Sequence, residues 1–305
     1  MNDTFQTQKI FFAMGTVNTI TVFEKADEAL SDAKKRVLDL ERKLSAYSRD
    51  SEIFKINSCA GISPVTVSED TFRLIKHSVM YSEITGGSFD ITSGPLSQLW
   101  KKTIKHGQLP DERTLNEARK LVNYSDIILD YEKHTVMLKN KGQKLDLGAV
   151  AKGYAADEVK NILLAHGIEN AVINFGGTVI NMGTQRNIGI QMPFAANGRS
   201  AASVKTENGK AVVSSGLYEQ FRIINGRFIH HIADTRTGNP SASGLLSVTL
   251  VGDNAEELDA FATSVFITGA EKSMEFLKHR NIEAVFITCD KKLYVTENLR
   301  EKIRT

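Results

Sequence analysis

Two oxygen-bearing side chains near the C-terminal end of the sequence have the spacing of a shared helix face. Asp259 and Thr263 stand four positions apart in an apolar segment with helical spacing, so their oxygens should project from the same side of the helix. Hard cations such as Mg²⁺ prefer carboxylate, hydroxyl and carbonyl oxygens and take phosphate oxygens for the rest of their octahedron. Many such pairs are ordinary surface residues, so the spacing alone supports a metal site only weakly.

A candidate anion site lies where an apolar strand end meets a predicted helix. Asp146 ends the apolar run, and Lys152 falls in the first turns of the helix predicted over residues 151–165. The free N–H groups of a helix N-terminus bind phosphate, and the lysine would add a positive charge beside the same anion. The alternative is that Asp146 only caps the helix and that Lys152 is solvated.

A pair of histidines ends another predicted strand. His230 and His231 are followed by Asp234 and by a turn that reaches Gly238. Because side chains alternate along a strand, only one imidazole should face inward, where it could serve as a general base or as a donor to phosphate. The outward imidazole would have no function, and the inward one could equally be a hydrogen-bonded core histidine.

Two aromatic residues stand in polar, loop-like segments. Tyr47 and Phe89 are therefore poor core candidates and reasonable partners for stacking on a flat ring, although single exposed aromatics are common. Glycine pairs at residues 86–87 and 176–177 suit tight turns. The sequence contains neither the glycine-rich dinucleotide fingerprint nor a Walker loop, which argues against both of those phosphate sites.

The elements that must position these residues are amphipathic helices and short β-branched strands. Helices are predicted over residues 29–44, 72–79, 115–121, 151–165, 258–267 and 273–278, and strands over 17–23, 127–129, 135–138, 171–174, 188–191, 228–232, 246–251 and 284–288. Asn225-Gly226 is a strong hairpin signal. Hairpins mixed with single helices favour an α+β fold. We expect Met192 to Gly209 to form a long loop or a division between halves.

The bulk composition is that of a globular protein. The 305 residues are 41% hydrophobic and carry a net charge of +2, so no general affinity for nucleic acid or an anionic membrane is expected. Cys59 and Cys289 predict neither a disulfide framework nor a zinc site. Because the first residues lack an apolar signal region, we expect a cytoplasmic protein; the alternative is an extracytoplasmic, membrane-tethered form with its export signal removed.

Taken in chain order, these segments resemble the ApbE family of FAD:protein FMN transferases. The matching segments are residues 14–16, Tyr47 with 50–53 and Asn57, then 86–96, 145–154, 174–177, 214–216, 230–238 and 259–263. Each is weak alone, but together in this order they are specific. The resemblance implies tandem T-fold-like α+β units with largely antiparallel sheets packed with helices. They would form one domain over residues 9–300, which could consist of two intertwined halves dividing near 192–209.

The resemblance also implies roles for individual residues. FAD would contact Met14, Tyr47, Ser88, Phe89, Asp90, Asp146, Lys152 and Ala233. Mg²⁺ would be held by Asp259, Thr263 and the backbone carbonyl of Ala149. His231 would be the catalytic base, with Asp234 orienting it or sharing its role.

The implied reaction moves FMN from FAD to a threonine or serine hydroxyl of an acceptor redox protein and releases AMP. The family modifies a short Asp/Ser/Thr-Gly-Ala-Thr-like motif in such proteins. No nucleic acid partner is implied, and a membrane would be involved only through the acceptor or a missing export signal. Two alternatives stay open: a FAD pyrophosphatase that gives FMN and AMP, and a FAD-binding protein without catalysis.

Overall fold

The computed structural model describes residues 6–195, 199–218 and 220–304. Within these residues the α-helices are α1 (Asp27–Leu44), α2 (Glu52–Ser58), α3 (Glu69–Ile84), α4 (Gly94–His106), α5 (Glu112–Lys120), α6 (Ala151–Ala165), α7 (Ala255–Thr268) and α8 (Ala270–His279). The strands are β1 (Thr7–Ala13), β2 (Thr16–Val22), β3 (Val65–Thr66), β4 (Ile127–Asp130), β5 (Thr135–Leu138), β6 (Ala171–Phe175), β7 (Thr178–Met182), β8 (Arg186–Gln191), β9 (Ser200–Thr206), β10 (Ala211–Gly216), β11 (Phe221–Ile224), β12 (Arg227–His230), β13 (Leu245–Gly252), β14 (Glu283–Thr288), β15 (Leu293–Val295) and β16 (Ile303–Arg304).

A large antiparallel sheet organises the molecule. Its strand order is β1-β2-β6-β7-β10-β13-β14-β15, and each neighbouring pair runs antiparallel. Smaller sheets have the orders β16-β9-β8, β3-β5-β4 and β11-β12. The predicted α+β class, with largely antiparallel sheets packed with helices, is confirmed.

Both faces of the main sheet are covered. On β13, Val248 and Leu250 belong to the large core formed with the helices, whereas Val251 packs into a second core that includes Val204 of β9. Side chains of a strand alternate between faces, so β13 contributes to two apolar layers and is buried along nearly its whole length. Helices including α1, α6 and α7 lie on one face, and the sheet β16-β9-β8 lies on the other, while α4 and α5 pack with β11 and β12 in a separate cluster.

Several predicted boundaries agree closely with the structure. The helix predicted over residues 151–165 is α6, and the predicted Asn225-Gly226 turn joins β11 to β12. Both turn residues have positive φ, 50° at Asn225 and 75° at Gly226, as a two-residue hairpin of this kind requires. No helix in the described ranges is both long and apolar enough to cross a membrane.

The stretch from Met192 to Gly209 differs from the expected long loop. Ser200–Thr206 form β9, which pairs with β8, so the loop prediction is wrong over these residues. Small polar residues fill much of β9 and gave no strand signal, yet its alternate positions pack into the second core. Residues 196–198 lie outside the described residues, and the division into halves stays a prediction.

Candidate active site

A cleft of about 1160 Å³ collects nearly all of the predicted site residues. It is large by comparison with ordinary ligand pockets, which span roughly 300–1,000 Å³, and therefore has room for a dinucleotide. Loops from the helical layer and ends of the main-sheet strands form its walls. Of the residues assigned to FAD, to the metal and to catalysis, each lines this cleft except Asp234.

The candidate metal ligands lie on α7 and in the segment just before α6. Asp259 is buried, and its Oδ2 accepts a hydrogen bond of 3.0 Å from the Gly153 backbone N–H. Thr263 lies one turn further along α7, and both residues line the cleft together with Ala149. In the described part of the chain no three His, Cys, Asp or Glu side chains cluster as a metal cage. A single carboxylate with hydroxyl and carbonyl oxygens is nevertheless a donor set that suits a hard cation.

Close packing of α6 on α7 fixes the position of Asp259. A Cβ atom at Gly153 would lie 2.1 Å from the Ala255 carbonyl oxygen, so only glycine allows this approach. The same glycine donates to Asp259, which ties the carboxylate to the neighbouring helix. Asn254 caps α7 by accepting from the Glu257 N–H at 2.7 Å, which fixes where the helix begins.

Lys152 stands beside the Asp259 carboxylate. Its Nζ lies 3.7 Å from Asp259 Oδ1 and donates to the Gly148 carbonyl oxygen at 3.1 Å. The lysine is thus directed into the cleft rather than simply solvated. It places a positive charge near the N-terminal end of α6, where anions are favoured.

Asp146, in the segment before α6, is held by three donors. Its Oδ2 accepts from Ser97 Oγ at 2.7 Å and from Lys101 Nζ at 3.4 Å, and its Oδ1 accepts from the Gly148 N–H at 3.0 Å. Burial alone would raise the pKa of Asp146, but these donors outweigh it and hold the pKa below its usual range. Asp146 therefore stays ionised. It does not cap α6, whose N-cap is Val150 without a side-chain hydrogen bond.

The two aromatic candidates differ in burial. Tyr47 is 61% exposed and its hydroxyl accepts from Lys101 Nζ at 2.7 Å, whereas Phe89 is only 2% exposed and belongs to the main core. The prediction that Phe89 is a poor core residue is wrong, because the loop after α3 turns inward. Phe89 still borders the cleft.

The neighbours of Phe89 explain this inward turn. Ser88 Oγ lies 2.6 Å from Ser264 Oγ on α7, and the buried Asp90 carboxylate accepts from the Thr92 N–H at 2.7 Å and from the Tyr124 N–H at 2.9 Å. Burial raises the pKa of Asp90 although these donors oppose it. Its carboxylate thus organises the loop that carries Ser88 to the cleft.

The two histidines occupy different environments. His230 is the inward histidine: it is buried, with Nε2 3.0 Å from the Ser241 carbonyl oxygen, as the alternative of a hydrogen-bonded core histidine predicts. His231 lines the cleft, with Nδ1 3.3 Å from the Gln220 carbonyl oxygen. Burial lowers the pKa of His231 to about 4, against the opposing effect of the Gln220 carbonyl. The cleft histidine is therefore neutral at pH 7.

The structure gives the Asp234 carboxylate a partner other than His231, and its role in catalysis stays a prediction. Its carboxylate pairs with Arg236, accepting from Nε at 2.9 Å and from Nη2 at 2.8 Å. The turn closes on itself through a 2.7 Å bond from the Gly238 N–H to the Asp234 carbonyl oxygen, which keeps the carboxylate within the turn. The Gln220 carbonyl, rather than Asp234, is the hydrogen-bond partner of His231 Nδ1.

Two cleft residues on α4 were missed in the sequence. Ser97 and Lys101 stand four positions apart on this helix and both reach Asp146. Pro95 in the first turn and Gly107 just past the end, with φ of 75°, were signals of α4.

Comparison with known proteins agrees with this fold. The sequence model of the ApbE family matches residues 14–286, and the chain belongs to this family. The FAD:protein FMN transferase of Klebsiella pneumoniae (strain 342) is 34% identical over 276 residues, which cover 90% of this chain and 87% of that protein. The FAD:protein FMN transferase of Treponema pallidum (strain Nichols) is 30% identical over 315 residues, which cover 95% of this chain and 87% of that protein.

Solved structures are similar along nearly the whole chain. The ApbE protein of Thermotoga maritima has a TM-score of 0.89 at 28% identity and covers 98% of this chain and 100% of its own. The flavin transferase ApbE from Vibrio cholerae has a TM-score of 0.84 at 25% identity, and the match covers 97% of this chain and 99% of that protein. The family resemblance and the fold class deduced from the sequence are confirmed.

Proposed function

We propose that this protein is a magnesium-dependent FAD:protein FMN transferase that modifies a threonine or serine hydroxyl of an acceptor redox protein. The observation that carries the proposal is the convergence of Asp259, Thr263, Lys152 and His231 on one cleft. Relatives that match most of the chain are FAD:protein FMN transferases. Their chemistry requires sites for an anionic pyrophosphate, a flat ring system and a base.

The polarity of the cleft lining supports FAD as the substrate. Lys152 and the N-terminal end of α6 supply positive charge for the pyrophosphate. Tyr47 offers an exposed ring for stacking against the flavin, beside the ionised Asp146. The remaining predicted contacts, Met14 and Ala233 among them, line the same cleft.

The donor set on α7 and before α6 fits Mg²⁺. Asp259 would provide the charged ligand, and Thr263 and the Ala149 carbonyl would provide neutral oxygens. A divalent cation bound there would neutralise charge on the pyrophosphate. Lys152, 3.7 Å from Asp259 Oδ1, adds to this neutralisation from the adjacent helix.

His231 has the protonation state that a base needs. A carbonyl oxygen can only accept, so the hydrogen bond to Gln220 requires the proton on Nδ1 and leaves Nε2 as an acceptor in the neutral ring. Its lowered pKa keeps this form dominant at pH 7. Nε2 would take the proton from the acceptor hydroxyl.

The reaction balances with these residues. The acceptor oxygen forms a bond to the FMN phosphorus, the bond from that phosphorus to the AMP oxygen breaks, and AMP leaves with the electron pair of that bond. Alignment and charge neutralisation supply most of the catalysis in phosphoryl transfers of this kind. The FAD pyrophosphatase alternative uses water in place of the acceptor hydroxyl.

Mass spectrometry distinguishes these functions in one experiment. The protein is incubated with FAD, MgCl₂ and a peptide that contains Ser-Gly-Ala-Thr, with a second sample lacking MgCl₂. A transferase adds FMN to the peptide and releases AMP, a pyrophosphatase releases free FMN and AMP, and a binder leaves FAD intact. Transfer that persists fully after removal of divalent cations would refute the magnesium dependence.

A further inference from the structure

The side chain of Lys101 connects two cleft residues that come from distant parts of the chain. Its Nζ donates to the Tyr47 hydroxyl at 2.7 Å and lies 3.4 Å from Asp146 Oδ2. The ammonium also lies 5.3 Å from the centre of the Tyr47 ring. Lys101 therefore links the loop between α1 and α2 to the segment before α6.

Tyr47 depends on this link for a fixed orientation. The ring is 61% exposed, and its loop is held on the backbone side, where Ser45 Oγ accepts from the Tyr47 N–H at 3.2 Å. An exposed side chain that must be ordered when a ligand binds lowers the affinity through lost conformational freedom. A donor that holds the hydroxyl end before binding removes part of this cost.

Asp146, the second partner of the Lys101 ammonium, is held firmly in place. The Asp146 carboxylate accepts a hydrogen bond of 2.7 Å from Ser97 Oγ. Ser97 lies one turn before Lys101 on α4, so this helix contacts the carboxylate at two points. Burial disfavours the charged form of the lysine, but Asp146 and Tyr47 outweigh this and raise the pKa of Lys101. The ammonium therefore persists at neutral pH.

We propose that Lys101 is a positioning residue for FAD, which holds the Tyr47 ring in place for stacking by tying its hydroxyl to the Asp146 carboxylate. The inference rests on the proposed function, in which the flavin of FAD stacks on Tyr47. Lys101 acts through Tyr47, so its effect belongs to FAD affinity and not to the chemical step.

The test compares FAD affinity, measured by flavin fluorescence, in a set of full-length variants. Lys101→Met keeps the aliphatic stem and removes the ammonium, and it should weaken FAD binding by about 5- to 30-fold. Lys101→Arg can still donate to both partners and should retain most of the affinity. Lys102→Met, at the exposed neighbouring position on α4, is the matched control and should change affinity by less than roughly twofold.

The mode of action is tested with Tyr47→Phe, which removes only the hydroxyl. If Lys101 works through that hydroxyl, the double variant of Lys101→Met and Tyr47→Phe should lose no more affinity than the weaker-binding single variant. The KM for FAD should rise in Lys101→Met, while kcat at saturating FAD stays within about threefold of the wild type.

Three results would overturn the inference. Unchanged affinity in Lys101→Met, where Tyr47→Ala weakens binding, would show that the lysine does not position the ring. Additive losses in the double variant would show that the lysine acts independently of Tyr47. Unchanged affinity in Tyr47→Ala would show that the flavin does not stack on Tyr47. A wild-type protein that binds FAD but transfers no FMN would instead contradict the proposed function.

Discussion

Lowering the pH from 7 to about 5.5 should leave the His231-dependent part of kcat/KM for FMN transfer nearly unchanged. The histidine lines the cleft, and burial lowers the pKa of His231 to about 4, with smaller contributions from the neighbouring His230, Lys101 and Lys152. At pH 5.5 an exposed imidazole is neutral in roughly one molecule in ten, whereas one with this lowered pKa is neutral in nearly all. The base would therefore remain available.

The lowered pKa of His231 should also make the free energy of unfolding fall as the pH is lowered. The unfolded chain binds a proton at His231 near pH 6.5, and the folded chain binds it only near pH 4, so acid favours unfolding. The contribution to the free energy of unfolding is full above about pH 6.5 and is lost as the pH falls toward 4, by at most about 3 kcal/mol. It is smaller if the site admits water.

Two assays check this account. The pH dependence of kcat/KM reports the pKa values of groups in the free enzyme. Measured between pH 4 and 8, the fall of kcat/KM that is due to protonation of His231 should have its midpoint well below pH 6. Urea unfolding of wild type and His231→Gln at pH 7 and pH 5 should show a smaller acid-induced loss in the variant. A midpoint at about pH 6.5, with equal losses in both proteins, would refute the reasoning.

Three further substitutions have defined expectations. His231→Ala should lower turnover by roughly two to four orders of magnitude with FAD affinity nearly unchanged, as measured by peptide labelling and flavin fluorescence; wild-type turnover would exclude it as the base. Tyr47→Ala should weaken FAD binding measurably in the same titration, and unchanged affinity would remove the stacking assignment. Gly153→Ala should lower the free energy of unfolding by about 1–3 kcal/mol in urea, because its Cβ would strike the Ala255 carbonyl; wild-type stability would mean that the helices can separate freely.

Local signals in the sequence were sufficient for much of the fold and for placing Asp259 beside Thr263, whereas their assignment to a metal came from the family resemblance. α6 was predicted at its observed bounds because its apolar spacing is long and regular, and a left-handed Gly167 follows its end. Asp259 and Thr263 could be paired because their proximity follows from helix geometry alone. The order of short motifs then indicated the family, which no single motif did.

Other features depend on contacts between distant segments and had no local signal. Phe89 lies in a polar segment, yet it is buried because Ser88 bonds to Ser264 on α7. The pairing of Asp234 with Arg236 competes with its predicted role toward His231, and spacing along the chain cannot decide between the two partners. β9 was predicted as loop because small polar residues fill positions that the sheet covers.

The central claim is that a cation held by Asp259 is required for FMN transfer, and Asp259→Asn tests it most directly. The amide keeps an oxygen that can accept from the Gly153 N–H but removes the charge, and Asp253→Ala, 82% exposed at its side chain, is the matched control. Labelling of the acceptor peptide is measured at several MgCl₂ concentrations, with folding checked by circular dichroism.

We expect Asp259→Ala and Asp259→Asn to abolish labelling while FAD still binds, and Asp253→Ala to label at the wild-type rate. Thr263→Ala should be milder and partly rescued by excess MgCl₂, because water replaces a neutral oxygen ligand more readily than a carboxylate. Labelling at the wild-type rate by a folded, FAD-binding Asp259→Ala protein would contradict the account, since the metal site would then lie elsewhere.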